Sequence, residues 1–148
     1  MLQHDIPDAV FFDLFAGSGG IGIEALSRGA RYAYFVENNR NALSCITANL
    51  EFTHFSDRAT VLKQDVLSAL QGIREKEADI IFMDPPYGCG YERQVLQVLK
   101  EQSYVTEQTL IVIEAAVEED FTHIGELGFA VTKEKCYKTN KHVFCRRI

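Results

Sequence analysis

The sequence predicts an α/β domain built on a mostly parallel β-sheet, and three observations carry that prediction. Strand-like and helix-like patterns alternate along the whole chain, as in sheets with helical crossovers. Three of the strand segments are apolar at consecutive positions, which marks strands covered on both faces. The last two strand segments follow each other directly, which adds a hairpin and antiparallel character at one edge. The chain has 148 residues, 47% of them hydrophobic and 24% charged. That is enough for one domain with a real core, and residues 1–148 are expected to form one.

The first strand is AVFFDLF, from Ala9 to Phe15. GGIGIEALSRGA then opens a helix with Ile21, Ile23, Ala25 and Leu26 as its apolar positions and Gly29 as its stop. YAYFVE, from Tyr32 to Glu37, is the second strand. In NRNALSCITANLEF, Ala42, Leu43, Ile46 and Leu50 fall at helical spacing, with Asn38 or Asn39 as the N-cap. ATVLKQD is a short strand, VLSALQGI a short helix and ADIIFMD the fourth strand. ERQVLQVLKEQ is helical, TLIVIEAA is the fifth strand, and EEDFTHIGEL reads as a short helix. FAVTKEKCYK and KHVFCRRI alternate around Thr139-Asn140 as the closing hairpin. Strands one, four and five belong at the centre of the sheet.

Composition excludes several classes. No apolar run approaches the roughly 18 residues of a membrane span. MLQHDIPDAV carries acids and no basic leader, so a cytoplasmic protein is expected. The four cysteines form no CxxC pair, and the histidines sit far apart, so neither a disulfide framework nor a metal is expected. Cys89 is read as a passive loop residue. Net charge is −6, unevenly spread. Lys133 to Ile148 holds six basic residues and one acid, a net +5 that leaves −11 on the remainder. Such a tail can meet a polyanion locally, because screening limits electrostatic reach to about 8–10 Å. The alternative is a solvated hairpin with alternating lysines.

DLFAGSGGIGIEA places Gly17, Gly19 and Gly22 in a GxGxxG pattern between strand and helix. Glycines there permit a tight turn and a close backbone approach to a ligand. Glu37 ends the second strand twenty residues beyond Gly17, where it would meet a ribose diol. A nucleoside cofactor follows. Asp13 lies four residues before Gly17, and an acid in that place suits a ligand with a cationic group better than a pyrophosphate. Asp65 could accept from an adenine amino group or cap the next helix. Acids near the ends of three successive strands favour S-adenosylmethionine over NAD.

IIFMDPPYG ends the fourth strand on an acid, two prolines and an aromatic ring. Strand ends at a sheet's switch point are where ligands bind. Pro85 holds Asp84 extended, and successive prolines fix φ and remove two backbone donors. The Asp84 carboxylate and the Pro85 carbonyl therefore make a stiff pair of acceptors for a planar NH2 group. Accepting both hydrogens turns the nitrogen toward sp3 geometry and aims its lone pair at a methyl donor. Tyr87 would stack on the base that bears the amine.

With DLFAGSGGIGIEALSRGA, FVENN and FMDPPY in order, the chain resembles class I S-adenosylmethionine-dependent methyltransferases. More narrowly, it resembles the RsmD family, which methylates N2 of a guanine in small-subunit (16S) ribosomal RNA. The resemblance runs from about Val10 to the C-terminus. DPPY is shared with many amino-methyltransferases, and the long glycine-loop string is the more specific motif. The resemblance implies a Rossmann-like fold with seven strands in the order 3-2-1-4-5-7-6, the last antiparallel, and helices on both faces. It implies cofactor contact for Asp13, Phe15, Ala16, Gly17, Ser18 and Gly19, a ribose-binding Glu37 beside Asn38, and an adenine-side Asp65 beside Val66. Asp84, Pro85, Pro86 and Tyr87 match the family's catalytic tetrapeptide. The implied partner is ribosomal RNA or the assembling small subunit, met by a monomer.

The family's basic N-terminal segment, a β-hairpin and a helix, is expected to be missing here, since MLQHDIPDA matches only the end of that helix. Cofactor binding is then expected to survive and RNA methylation to be impaired, because phosphate contacts supply most nucleic-acid affinity. Rival readings are a DNA adenine-N6 or protein-glutamine amino-methyltransferase and a cofactor-binding fragment without activity. An NAD-dependent dehydrogenase fits the glycine loop but neither Asp13 nor the tetrapeptide.

Overall fold

A computed structural model of the chain describes residues 4–86, 88 and 90–148. The expectations for Tyr87 and Cys89 lie outside the described residues. Seven strands form one sheet in the order β3-β2-β1-β4-β5-β7-β6. They are β1 (Val10–Leu14), β2 (Tyr32–Val36), β3 (Ala59–Leu62), β4 (Ile80–Met83), β5 (Leu110–Ala116), β6 (Phe129–Cys136) and β7 (Asn140–Arg147). β1 to β5 pair in parallel, and β7 runs antiparallel to both β5 and β6. The implied strand order is the observed one.

Every residue of β1 and β4 is buried, as their unbroken apolar runs require. One face of the sheet packs Phe11, Phe35, Phe82 and Val112 against Ala25 and Leu26 of α1 (Gly20–Ser27) and Ile46 and Leu50 of α2 (Arg40–Thr53). The other packs Phe12, Leu14, Ile81, Met83 and Ile113 against α3 (Val66–Gly72) and α4 (Tyr91–Lys100). Asn39 is the α2 N-cap, its side chain accepting from the Ala42 N–H at 3.0 Å.

Two local expectations change. Ile21 reads as one of the helix's apolar positions, but α1 turns Gly22, Ala25 and Leu26 to the sheet and leaves Ile21 exposed and Ile23 only partly covered. The glycine is what allows that rotation, because the helix closes onto Phe35 where a side chain would otherwise stand. EEDFTHIGEL forms the expected short helix, a 3-10 helix over Thr122–Leu127. Asp120 accepts from the Thr122 N–H and hydroxyl and sets its start, and Gly128 at φ +89° ends it. The hairpin turn centres on Lys138 and Thr139, one residue early, since the Tyr137 N–H donates to the Asn140 carbonyl at 2.8 Å. β6 is the outer edge strand, exposed along all but its first residue and bulged between Val131 and Lys133, a shape that discourages edge pairing.

Candidate active site

The loop after β1 is built from left-handed backbone and buried hydrogen bonds. Phe15, Gly17 and Gly19 take φ of +60°, +59° and +83°. For the glycines that is free of strain, but for an aromatic residue it is an outlier of the kind concentrated at functional sites. The Gly17 N–H donates to Glu37 Oε1 at 2.8 Å, while Glu37 Oε2 accepts from the N–H groups of Asn38 and Asn39 at 3.2 and 2.9 Å. One carboxylate thus ties the glycine loop to the start of α2. The Ala16 N–H donates to the Val36 carbonyl, and the Ser18 carbonyl accepts from Asn49.

Asp13 lies under this loop, inside β1 and nearly fully buried. Its Oδ2 accepts from the Gly22 N–H at 2.9 Å. Burial raises its pKa to about 7, the Gly22 hydrogen bond works against that rise, and the charges of Asp84 and Glu37 add to it. A Cβ on Gly22 would stand 2.4 Å from the Phe35 ring and 3.1 Å from Asp13 Oδ2. The third glycine of the motif is therefore fixed by packing and the first two by backbone conformation.

Above the loop is a cavity of about 320 Å³, lined by Phe15, Val36, Glu37, Asn38, Gln64, Asp65, Val66, Asp84, Pro86 and Tyr91. It gathers residues from four separate strand-to-helix connections, as expected at the carboxyl ends of parallel strands. Of the predicted cofactor residues, Phe15, Glu37, Asn38, Asp65 and Val66 face it. Asp13, Ala16, Gly17, Ser18 and Gly19 form the loop and its support without lining the cavity. Asp65 is the α3 N-cap, accepting from the Ser68 N–H at 3.2 Å, and hydrogen bonding from the Ser68 side chain and then its N–H lowers its pKa. It lines the cavity as well, so the two readings of this residue are compatible. Tyr91, not anticipated from sequence, meets Phe15 edge-on with ring centroids 5.1 Å apart. It opens α4 just beyond the tetrapeptide, a position that could have signalled it.

A second cavity of about 300 Å³ adjoins the first and shares Asp84 and Pro86 with it. Its walls add Pro85, Glu92, Glu114, Ala115, Ala116, Glu118, Glu119, Thr139 and Asn140. Asp84 is an exposed residue by area, yet desolvation of its carboxyl raises the pKa. The neighbouring Glu114 raises it further, by charge and by a shared hydrogen bond, while His142 works the other way. His142 Nε2 lies 3.1 Å from Glu114 Oε1. Sequence reading missed Glu114 and His142; the signal was an acid inside the apolar TLIVIEAA run.

Elsewhere, the basic tail is only partly available to a partner. Lys141 is buried against Glu134 at 2.7 Å, and Arg146 and Arg147 donate to the carbonyls of Gln108, Leu99 and Lys100. Lys133, Lys135 and Lys138 are exposed. Among the described residues no cluster of three His, Cys, Asp or Glu could hold a metal, and no helix is long and apolar enough to cross a membrane.

A sheet ordered 3-2-1-4-5-7-6, a glycine loop after β1, an acid after β2 and an Asp-Pro-Pro corner after β4 together define the class I methyltransferase architecture. A family described as "Conserved hypothetical protein 95" matches residues 1–146, and the chain belongs to this family, the RsmD family of ribosomal RNA methyltransferases. The chain is 34% identical over 113 residues to the ribosomal RNA small subunit methyltransferase D of Escherichia coli strain K12, covering 76% of this chain and 56% of that protein. It is 33% identical over 125 residues to the protein of the same name from Haemophilus influenzae, covering 83% and 64%. The chain thus spans less than two thirds of the length of either relative. A solved structure of a conserved hypothetical protein from Streptococcus pyogenes superposes with a TM-score of 0.84 at 31% identity, covering 96% of this chain and 88% of that one.

Proposed function

We propose that this domain binds S-adenosylmethionine over the glycine loop and methylates the exocyclic N2 of a guanine in 16S ribosomal RNA. Its substrate is the RNA or the assembling small subunit, and it acts as a cytoplasmic monomer. The observation that carries the reading is that Asp84 and Pro86 stand in the wall between two cavities, one with nucleoside-binding character and one rich in acceptors. A transferase needs that arrangement, because donor and acceptor must meet at one point.

The first cavity fits the cofactor. Among the described residues Glu37 Oε1 accepts from the Gly17 N–H alone, which leaves a lone pair for a ribose hydroxyl. Asp65, exposed at the α3 N-cap, offers a carboxylate oxygen to an adenine amino group. Phe15, Val36 and Val66 supply apolar walls for the flat base. Bound there, S-adenosylmethionine supplies an electrophilic methyl group on a positively charged sulfur.

The chain's own part is orientation and charge. The Asp84 carboxylate and the Pro85 carbonyl accept the two amine hydrogens and turn the nitrogen lone pair toward the first cavity. Transfer of the methyl group from the bound donor would leave one proton too many on that nitrogen. Asp84, whose pKa stands above the ordinary carboxylate range, takes that proton. Tyr87, the last residue of the tetrapeptide, is proposed to stack on the base.

Mass-spectrometric mapping of 16S ribosomal RNA from cells lacking the protein tests the substrate. One N2-methylguanine should disappear and return when the gene is restored. Unchanged 16S methylation would refute the reading. Thermal-shift titration tests the cofactor: S-adenosylhomocysteine at about 100 times its Kd should add about 2.7 kcal/mol and NADH nothing.

A further inference from the structure

We infer that Glu114, held in place by His142, is the specificity-determining residue that accepts the N1–H of the target guanine beside Asp84. The inference rests on the guanine-N2 reading above and adds how that base is told from other amino-bearing bases. Register places the two acids together. β4 pairs with β5 in parallel with Met83 opposite Ile113, so Asp84 and Glu114 each stand one residue further along neighbouring strands. Both carboxyl groups line the same cavity, and the charge of Glu114 raises the pKa of Asp84.

On the far side of β5, Glu114 pairs with His142 of β7, with Nε2 3.1 Å from Oε1. For that contact to be a hydrogen bond to the ionised carboxylate, the ring carries its proton on Nε2. The imidazole is itself held edge-on against Phe82 on one strand and Tyr137 at the hairpin, with centroids 5.9 and 5.0 Å away. Glu114 is thus a fixed acceptor on rigid strands. A residue with only a packing role in TLIVIEAA would be apolar, as its neighbours are.

Among the described residues the remaining ionisable groups on this cavity are Glu92 from α4 and Glu118 and Glu119 beyond β5. Lys141 of β7 is engaged by Glu134 and by the Glu119 carbonyl. The charged lining of the cavity therefore consists of acceptors. Guanine presents an unbroken row of donors, N1–H and N2–H2, along this edge. Adenine, cytosine and 2-aminopurine each place a lone pair next to their amine, and that lone pair would face the Glu114 carboxylate. Rejection of the wrong base then comes from repulsion and an unmet acceptor, which discriminates more sharply than shape alone.

The test uses synthetic RNA hairpins that differ in a single unpaired purine: guanine, adenine or 2-aminopurine. Two readouts are taken with the 148-residue chain. One is methyl transfer from labelled donor. The other, with S-adenosylhomocysteine bound, is displacement of the fluorescent 2-aminopurine hairpin by the guanine hairpin. The wild type should prefer guanine by on the order of tenfold or more in both. E114A should bring the two hairpins within about twofold, and E114Q, which keeps the shape, should fall between. The S-adenosylhomocysteine thermal shift should be unchanged in both variants. Retention of the wild-type guanine preference by E114A and E114Q would overturn the inference and leave the guanine reading standing. Preferential methylation of the adenine hairpin by the wild type would overturn the guanine reading itself.

Discussion

Glu37 and Gly17, twenty residues apart, form one unit: the carboxylate after β2 accepts the N–H of the first glycine after β1 at 2.8 Å. The acid usually read as a ribose ligand therefore also shapes the loop beneath the ligand, since its other oxygen holds the first N–H groups leading into α2. E37A should act on both jobs. Leaving a part-buried N–H unmet destabilises by about 1–3 kcal/mol, and loss of the ribose acceptor should weaken S-adenosylhomocysteine binding by about tenfold or more. Thermal denaturation without ligand and calorimetric titration separate the two effects. A lowered Tm with unchanged affinity would confine Glu37 to the loop.

Gly22 and Gly20 lie in the same helix and should respond oppositely to alanine. At Gly22 the added Cβ meets the Phe35 ring at 2.4 Å, and overpacking of that kind in a core destabilises by about 1–3 kcal/mol. At Gly20 the nearest atom is Ser18 Oγ at 3.8 Å, an ordinary contact, so G20A should be neutral or stabilise by up to about 1 kcal/mol through helix propensity. Urea titration of the two variants checks the contrast. Equal effects would mean that α1 does not close on Phe35 as described.

Asp13 should make stability fall as pH rises. Its folded pKa of about 7 lies above the ordinary 3.8, so between these values the folded chain holds more proton than the unfolded one. Stability then declines with pH across that window, by at most about 1.4 kcal/mol per unit, and the penalty is complete above pH 7. D13N keeps a carbonyl oxygen for the Gly22 N–H and cannot titrate. Its stability relative to the wild type should rise from pH 5 to about pH 7 and level off above that, measured by denaturant titration at each pH. A difference flat in pH would place the proton elsewhere.

Asp13, Glu114 and Ile21 show where sequence is legible and where it stops. Strand identity followed from unbroken apolar runs, because burial on both faces leaves a direct compositional trace, while the strand order followed from the family resemblance alone. Much of the first cavity's lining was legible too: an acid after β2 and an acid capping α3 are local features at fixed spacing from the glycine loop. Asp13 was read as facing a cationic ligand, but which way a side chain in a buried strand points depends on the neighbour it meets, here the Gly22 N–H. Ile21 misled because helix rotation was set by Gly22, a residue without a side chain to announce itself. Glu114 and His142 are 28 residues apart and meet only through β5–β7 pairing. Antiparallel register across the sheet edge has no short-range signature.

Asp84 should separate chemistry from cofactor binding. D84A removes the acceptor of the amine but touches no glycine-loop contact, so methyl transfer should fall on the order of 100-fold or more, with S-adenosylhomocysteine affinity within about twofold of the wild type. Equal loss of both would move Asp84 into the cofactor's architecture. The pH profile gives a second, independent check. An ionised Asp84 is needed to accept the amine hydrogens, so activity should fall as pH drops through its folded pKa, which burial and the Glu114 charge hold above the usual carboxylate range. His142 on β7 pulls that value down, while Glu92, Glu118 and Glu119 stand around the same cavity. E114Q removes the nearest negative charge, so the acid limb of its residual activity should move to lower pH. H142Q removes the opposing positive influence and should move the limb upward. Opposite displacements in E114Q and H142Q, read from transfer rates between pH 5 and pH 8, would assign the limb to Asp84. A limb unmoved by either substitution would assign it to another group.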